Sequence, residues 1–260
     1  MLVKGKKYFK LTFNIWGIVF LFLFGCAEQK NIDIVHPQFY SYLPKTVAVL
    51  PMDNLSADLD ATPLIRPIVY QRLIYHGYKC LDLKKTDEIL KQNGVMISHD
   101  VYMFTPQKLG KLLGVDALVY GTVTNFTKHY ALIYTDIIVG IKLEMVDART
   151  GEVLWKSEHT STEDTLAESL WVASQYDNER DALIAVLAYN AAFAVLSDYR
   201  PYAEEALRKA FSSLPPGPYG RKPYPWDQTH KSWEDDIVEL WLTAGSIIAT
   251  YSPNLKKKKK

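Results

Sequence analysis

Ile137-Ile138-Val139-Gly140-Ile141-Lys142-Leu143-Glu144-Met145-Val146-Asp147-Ala148-Arg149-Thr150-Gly151-Glu152-Val153-Leu154-Trp155-Lys156 reads as two strands and the turn that joins them. Val139, Ile141, Leu143 and Met145 alternate with polar Lys142 and Glu144, the period of a half-buried strand. Val153 and Trp155 alternate against Leu154 and Lys156, and this second strand runs on to Ser161. Between them, Asp147 to Gly151 is a five-residue turn with glycine where a left-handed residue is wanted, which predicts a hairpin.

Working outward, Ala117 to Phe126 is another strand, and the stretch Thr127 to Asp136 falls between it and the hairpin as a connection. Upstream, Thr46 to Leu50 is apolar without alternation, as a central strand covered on both faces requires, and Pro51 ends it. Thr62-Pro63 predicts a helix start, with the helix running to His76 and stopped by Gly77; Pro67 marks either the true start or a first-turn bend. A short strand follows at Tyr78 to Leu83, then a helix capped by Thr86-Asp87 to Gln92, a loop over Val95 to Phe104, and a helix opened by Thr105-Pro106 and closed by Gly114. Downstream, Leu166 to Ala173, Arg180 to Ser197 and Pro201 to Ser212 are helical, the second so evenly apolar that it should be sandwiched. The order β-α-β-α-α-β-β-β followed by C-terminal helices predicts an α/β fold with a mixed sheet.

The ends are different. Lys4, Lys6, Lys7 and Lys10 precede an apolar run from Leu11 to Phe24, about 21 Å long as a helix and short of a ~30 Å hydrocarbon core. This is the build of a secretory signal peptide. Leu23-Phe24-Gly25-Cys26 resembles a bacterial lipobox, which implies a thiol converted to a diacylglycerol thioether at Cys26. Ala27 after it, by resemblance to sorting rules in bacteria with two membranes, implies the outer membrane and a domain facing the periplasm. The expected organisation is a signal peptide at 1–25, a polar tether at 26–44, a periplasmic domain at 45–219 and an aromatic, polylysine-ended extension at 220–260. In the extension, Ser232-x-x-Asp235 forms a capping box for a helix carrying Ile237, Leu240 and Trp241 on one side, a stripe that either packs on its own domain or docks a partner.

The formal charge of +1 becomes −3 once the four leader lysines are removed and −8 without Lys256 to Lys260, so the body is acidic and no nucleic-acid surface is expected. Cys80 has no partner cysteine once Cys26 is acylated and reads as a buried small hydrophobe. No nucleophile elbow, zincin, phosphate-loop or dinucleotide motif occurs. The six histidines, His36, His76, His99, His129, His159 and His230, are scattered, so no metal or cofactor is expected. The acidic loop with Asp53, Asn54, Asp58 and Asp60 lacks calcium-loop spacing, yet it lies at the carboxyl end of a core strand, where open sheets place ligand or partner crevices.

Four stretches carry a family resemblance. They are Val47-Ala48-Val49-Leu50-Pro51 with Asp53-Asn54, Leu109-Gly110 through Gly114-Val115-Asp116-Ala117 to Val123, Leu143 to Trp155, and Leu214-Pro215-Pro216-Gly217-Pro218-Tyr219. Together they resemble an uncharacterised bacterial lipoprotein family typified by a meningococcal genome-derived vaccine antigen. They are more distantly similar to the curli-secretion channel lipoprotein and the TolB amino-terminal domain. The resemblance implies a lipid-anchored outer-membrane protein acting as a non-enzymatic accessory of envelope assembly, transport or secretion, with protein partners or self-association. The alternative is a lipid-tethered periplasmic binding module for a small ligand or glycan. A membrane β-barrel is not expected, because only Thr127 to Asp136 is left to supply it and that stretch contains Lys128, His129 and Asp136.

Overall fold

The computed structural model describes residues 31–229. Its elements are β1 (Ile32–Val35), α1 (Phe39–Tyr42), β2 (Thr46–Val49), β3 (Asp53–Asn54), α2 (Ala61–Tyr75), β4 (Lys79–Cys80) and α3 (Leu83–Gln92). A 3-10 helix (Ser98–Met103), α4 (Pro106–Leu113), β5 (Ala117–Ala131), β6 (Tyr134–Asp147) and β7 (Val153–Asp164) follow. The described chain ends with α5 (Leu166–Ser174), α6 (Glu179–Leu196), α7 (Arg200–Ser212) and α8 (Pro225–Thr229). The expected α/β order is present, with β1, α1 and β3 added to it.

Among the described residues the strands form one mixed sheet in the order β1-β7-β6-β5-β2-β4, with β3 pairing β5 beyond the end of β2. β2 is parallel to β4 and β5, whereas β5, β6, β7 and β1 are successively antiparallel. The parallel half is covered on both faces, which is why Val47, Ala48, Val49 and Leu50 are all buried. Val47 and Val49 join the large core under α2, while Ala48 and Leu50 join a smaller one built by α3, the 3-10 helix and α4. The antiparallel half buries one face: Ile141, Leu143, Met145 and Trp155 point into the large core with Tyr202, Leu207 and Phe211 of α7, and Lys142 and Lys156 both pair with Glu144 on the other side.

The β6–β7 turn forms as its sequence predicts. Asp147 accepts from the amides of Arg149 and Thr150, and Gly151 takes φ +82°. Helix α4 has Thr105 as its N-cap, bonded to the amide of Lys108, and Gly114 in a left-handed C-cap.

Six readings are corrected. Residues 32–35, expected in a tether, pair with Trp155 to Glu158 of β7, and Phe39 of α1 is buried, so the folded domain starts well before residue 45. Helix α2 is flanked by Asp60 rather than capped by Thr62, and it accommodates Pro63 in its first turn and Pro67 one turn later. Helix α3 is capped by Asp82, which accepts from Lys85; Thr86 is already inside it, its hydroxyl donating back to the Asp82 carbonyl. Thr127 to Asp136 is strand, carrying the β5–β6 hairpin to a two-residue turn at Leu132-Ile133. Helix α6 is not sandwiched, since Leu183, Ile184, Val195 and Leu196 face outward. Residues 221–229 also pack on the domain rather than leaving it: Lys222 donates its amide to the Tyr75 carbonyl, and Asp227 pairs with Arg72. No single described helix is long and apolar enough to cross a membrane.

Candidate functional site

The carboxyl end of the parallel strands is where the acidic loop was expected to form a crevice, and a crevice of about 330 Å³ lies there. Its walls differ from the expectation. They are Pro51, Arg66, Asp87, Leu90, Lys91 and the segment Val95 to Ser98. Arg66 reaches from α2 to hold both carboxylate oxygens of Asp87 on α3, at 2.9 and 2.7 Å, and to donate to the Val49 carbonyl at 2.9 Å. One fork thereby ties both helices to the end of β2.

The acidic loop turns its polar atoms on itself. Asn54 accepts from the amide and hydroxyl of Ser56 and donates to the Asp58 carbonyl, and Asp58 accepts from the Asp60 amide. Asp53 instead meets the Tyr102 phenol, whose ring stacks on Tyr120 at 5.5 Å between centroids. Burial, with Asp53 beside it, pushes the Tyr102 phenol up to about 12. Asp53 so joins the acidic loop to the 3-10 segment, and the two together expose Leu55, Leu59, Met96, Ile97, Tyr102 and Met103. Met103 is 78% exposed and Leu59 85%, an apolar rim that no core residue covers. The rim was not legible beforehand because its residues are single apolar positions in a loop.

The residues that carried the resemblance serve as architecture. Asp116 accepts from the amides of Lys45 and Thr46 and fixes the start of β2. The 214–219 strap lies along Gly77: His76 Nε2 meets the Leu214 carbonyl at 2.6 Å, the Tyr78 hydroxyl donates to the Pro215 carbonyl at 2.6 Å, and the amides of Gly217 and Tyr219 donate to the carbonyls of His76 and Gly77. A Cβ on Gly217 would stand 2.2 Å from the Gly77 carbonyl oxygen, so only glycine fits. Burial, against the Leu214 bond, pushes the His76 imidazole down to about 4. Cys80, half-buried in β4 beside the strap, has its thiol pushed up to about 12 by burial.

A second polar cluster sits on the inner face at β1. Asp33 accepts from Ser157 Oγ at 2.6 Å, Ser213 Oγ at 2.8 Å and the His159 ring at 2.9 Å, and Trp155 Nε1 donates to Ser213. The residue types are those of a hydrolytic triad, but both serines donate to the carboxylate and neither meets the imidazole, so no nucleophile and base are paired. A third cluster is ionic: buried Arg72 holds buried Glu204 at 2.8 Å and Asp227 at 2.9 Å, with its guanidinium 4.2 Å from the Tyr224 ring centre. It walls a cavity of about 300 Å³ with His76, Arg208 and Arg221. Among the described residues no group of three or more His, Cys, Asp or Glu side chains could hold a metal ion. Cys26, Ile237, Leu240 and Trp241 lie outside the described residues.

The geometry is therefore that of a packed scaffold with an exposed apolar rim, and the comparisons agree with the sequence resemblance. Over 135 residues the chain is 31% identical to "Putative lipoprotein NMB1124/NMB1162" of Neisseria meningitidis serogroup B, a match covering 52% of this chain and 63% of that protein's length. Among solved structures it is similar to lipoprotein GNA1162 from Neisseria meningitidis (27% identity, TM-score 0.45, covering 58% of this chain and 99% of that one). It is also similar to the PelC dodecamer from Paraburkholderia phytofirmans (13%, TM-score 0.42, 72% and 98%). Residues 36–197 match the family described as "Putative lipoprotein GNA1162-like", and the chain belongs to that family.

Proposed function

We propose that this protein is a lipid-anchored lipoprotein of the outer membrane, its domain facing the periplasm, that acts as a non-enzymatic accessory of envelope assembly, transport or secretion. Three lines support the reading: membership of a lipoprotein family, the position of Cys26 after Leu23-Phe24-Gly25, and Ala27 behind it. Two or three acyl chains at ~0.8 kcal/mol per buried CH2 suffice for stable anchoring. The observation that carries the accessory role is the rim of Leu55, Leu59, Met96, Ile97, Tyr102 and Met103. It offers apolar area for a protein partner, while the polar groups around it are tied to one another. By their spacing in the sequence, Ile237, Leu240 and Trp241 are a second candidate for partner binding.

The test places a photoreactive residue at Ile97 in the intact, membrane-bound protein. A stoichiometric crosslink to one envelope protein, or to a second copy, that is lost in Met103→Glu with folding unchanged supports the reading. A clean monomer that instead retains a soluble small ligand or glycan in the Arg66 crevice would replace it with the tethered binding module. Loss of envelope association in Cys26→Ser is expected, and its absence would remove the anchor.

A further inference from the structure

We infer that the tip of the β5–β6 hairpin enters the bilayer to which Cys26 is attached, an inference that rests on the proposed acylation of that residue. The register supplies the first step. Ile32 lies level with Glu158, Lys142 and Thr122 across four neighbouring strands. Because β1 is antiparallel to β7, and Asp164 at the end of β7 lies level with Asp136 near the hairpin turn, the amino-terminal end of β1 faces the side of the sheet that carries that turn.

From Lys142 back to Tyr134, the hairpin projects past this row by about eight residues, or ~27 Å at 3.4 Å per residue. The accumulated twist of ~20–25° per strand shortens the projection on the β1 axis to about 20 Å. From Cys26 to Ile32 is six residues, spanning at most about 20–22 Å when fully extended. Six residues can therefore carry Cys26 no farther from Ile32 than about the length by which the hairpin projects, so a domain held by that cysteine is kept within a hairpin's length of the bilayer.

The chemistry of the tip fits that position. Between His129 and Asp136 there is no charge, and Tyr130, Leu132 and Ile133 are all exposed, Leu132 at 64% and Ile133 at 54%. Leu132 holds φ +49° in a two-residue hairpin turn, where glycine or asparagine is the unstrained choice. Leu166 and Leu170 of α5 are exposed beside the tip, to which α5 is tied by the Thr165 amide donating to the Thr135 carbonyl.

Electrostatics do not explain the contact. Asp136 and Asp164 lie level at the base of the tip, with Glu163 one residue on and Glu168 near it, and Lys128 turns inward to donate to the carbonyls of Ala194 and Ser197. The contact is apolar, with the tyrosines at the headgroup level, so it should not depend on anionic lipid or salt.

The test uses the intact acylated protein in phosphatidylcholine vesicles, with an environment-sensitive fluorophore on Ile133→Cys and a control on Lys111→Cys. Cys80 is shielded and Cys26 is blocked by its thioether. The expected result is a blue-shifted Ile133 label, quenched at least threefold more than the control by bilayer nitroxide lipids, insensitive to 0.5 M salt, and released to water by Leu132→Asp. In the unlabelled protein, amide exchange over residues 128–136 should slow on vesicles. A water-exposed, unquenched tip on protein whose mass shows acylated Cys26 overturns the inference and leaves the anchor standing. Quenching that follows protein density rather than nitroxide content overturns it in favour of contact between copies. If no acyl mass is found on Cys26, the anchor itself falls, and the inference with it.

Discussion

Replacing Gly217 with alanine tests whether the 214–219 strap closes the fold or merely lies on it. The new Cβ would sit 2.2 Å from the carbonyl oxygen of Gly77 and 2.5 Å from its carbon, both backbone atoms that cannot rotate away. Overpacking of this kind costs about 1–3 kcal/mol. If the strap lifts to relieve it, up to four hydrogen bonds go with it: His76 to Leu214, Tyr78 to Pro215, and the Gly217 and Tyr219 amides to His76 and Gly77. At ~0.5–1.5 kcal/mol each, the total loss should fall at about 3–5 kcal/mol. Urea unfolding of a soluble form starting at Asn31 would read this as a lowered midpoint at unchanged slope. Cys80 gives an independent readout, because its thiol, pushed up to about 12 by burial, lies in the cleft bounded by Gly77, Tyr219 and Gly220. A thiol returned to its ordinary pKa of ~8.5 is ionised roughly 10³-fold more at pH 8, so disulfide-reagent labelling should accelerate steeply. An unfolding free energy within about 0.5 kcal/mol of the parent, with Cys80 still silent, would refute the strap as a structural element.

Three further outcomes are expected. Arg72→Met should cost about 3–5 kcal/mol by stranding the buried Glu204 carboxylate, and the double variant with Glu204→Leu should recover most of it; additive losses in a double-mutant cycle would contradict the pairing. Burial, with Glu168 and Asp164 nearby, pushes the Glu163 carboxyl up to about 7, so the native state holds a proton that an unfolded chain releases near pH 4.3. Stability from this group is present below pH ~4.3 and lost as pH rises through about 7, some 1–2 kcal/mol after solvent screening of a half-exposed group. Melting temperatures at pH 5 and 8 should converge in Glu163→Gln relative to the parent, and an unchanged difference would assign the pH dependence elsewhere. Asp33→Ala removes the acceptor shared by Ser157, Ser213 and His159 and should release β1 at a cost of about 1–3 kcal/mol. Amide exchange at Ile32 to Val35 reports it, and unaltered protection there would count against the network.

Elements with local signals were readable from the chain: Thr105-Pro106 to Gly114 carries both its caps, and Asp147 to Gly151 encodes its own turn. β1 was not, because Ile32-Asp33-Ile34-Val35 shows no clean alternation and is mostly exposed; it is a strand only through pairing with residues more than a hundred positions away. The outer hairpin hid behind Lys128, whose ammonium is met by carbonyls at the α6 carboxyl terminus, and behind His129 and Asp136, which hydrogen-bond each other. The caps of α2 and α3 were displaced by a few residues because Pro63 and Thr86 are tolerated inside the first turn. For the candidate site, the carboxyl end of the sheet was legible from topology. Its wall was not: Arg66 and the 3-10 segment reach it by tertiary packing, while Asp58, an obvious polar residue, spends its carbonyl and carboxylate oxygens on Asn54 and the Asp60 amide within the loop itself.

The position of β1 also orders events in time. The strand is synthesised first, yet its ladder is made of residues 155–158, so it has nothing to join until most of the domain has emerged. Seating it closes a long loop and is correspondingly slow. Until then the margin of β7 is bare, a template for foreign strands. A nascent or truncated chain ending before Trp155 cannot complete that margin at all, and susceptibility of residues 31–38 to protease should disappear only when the domain has finished folding.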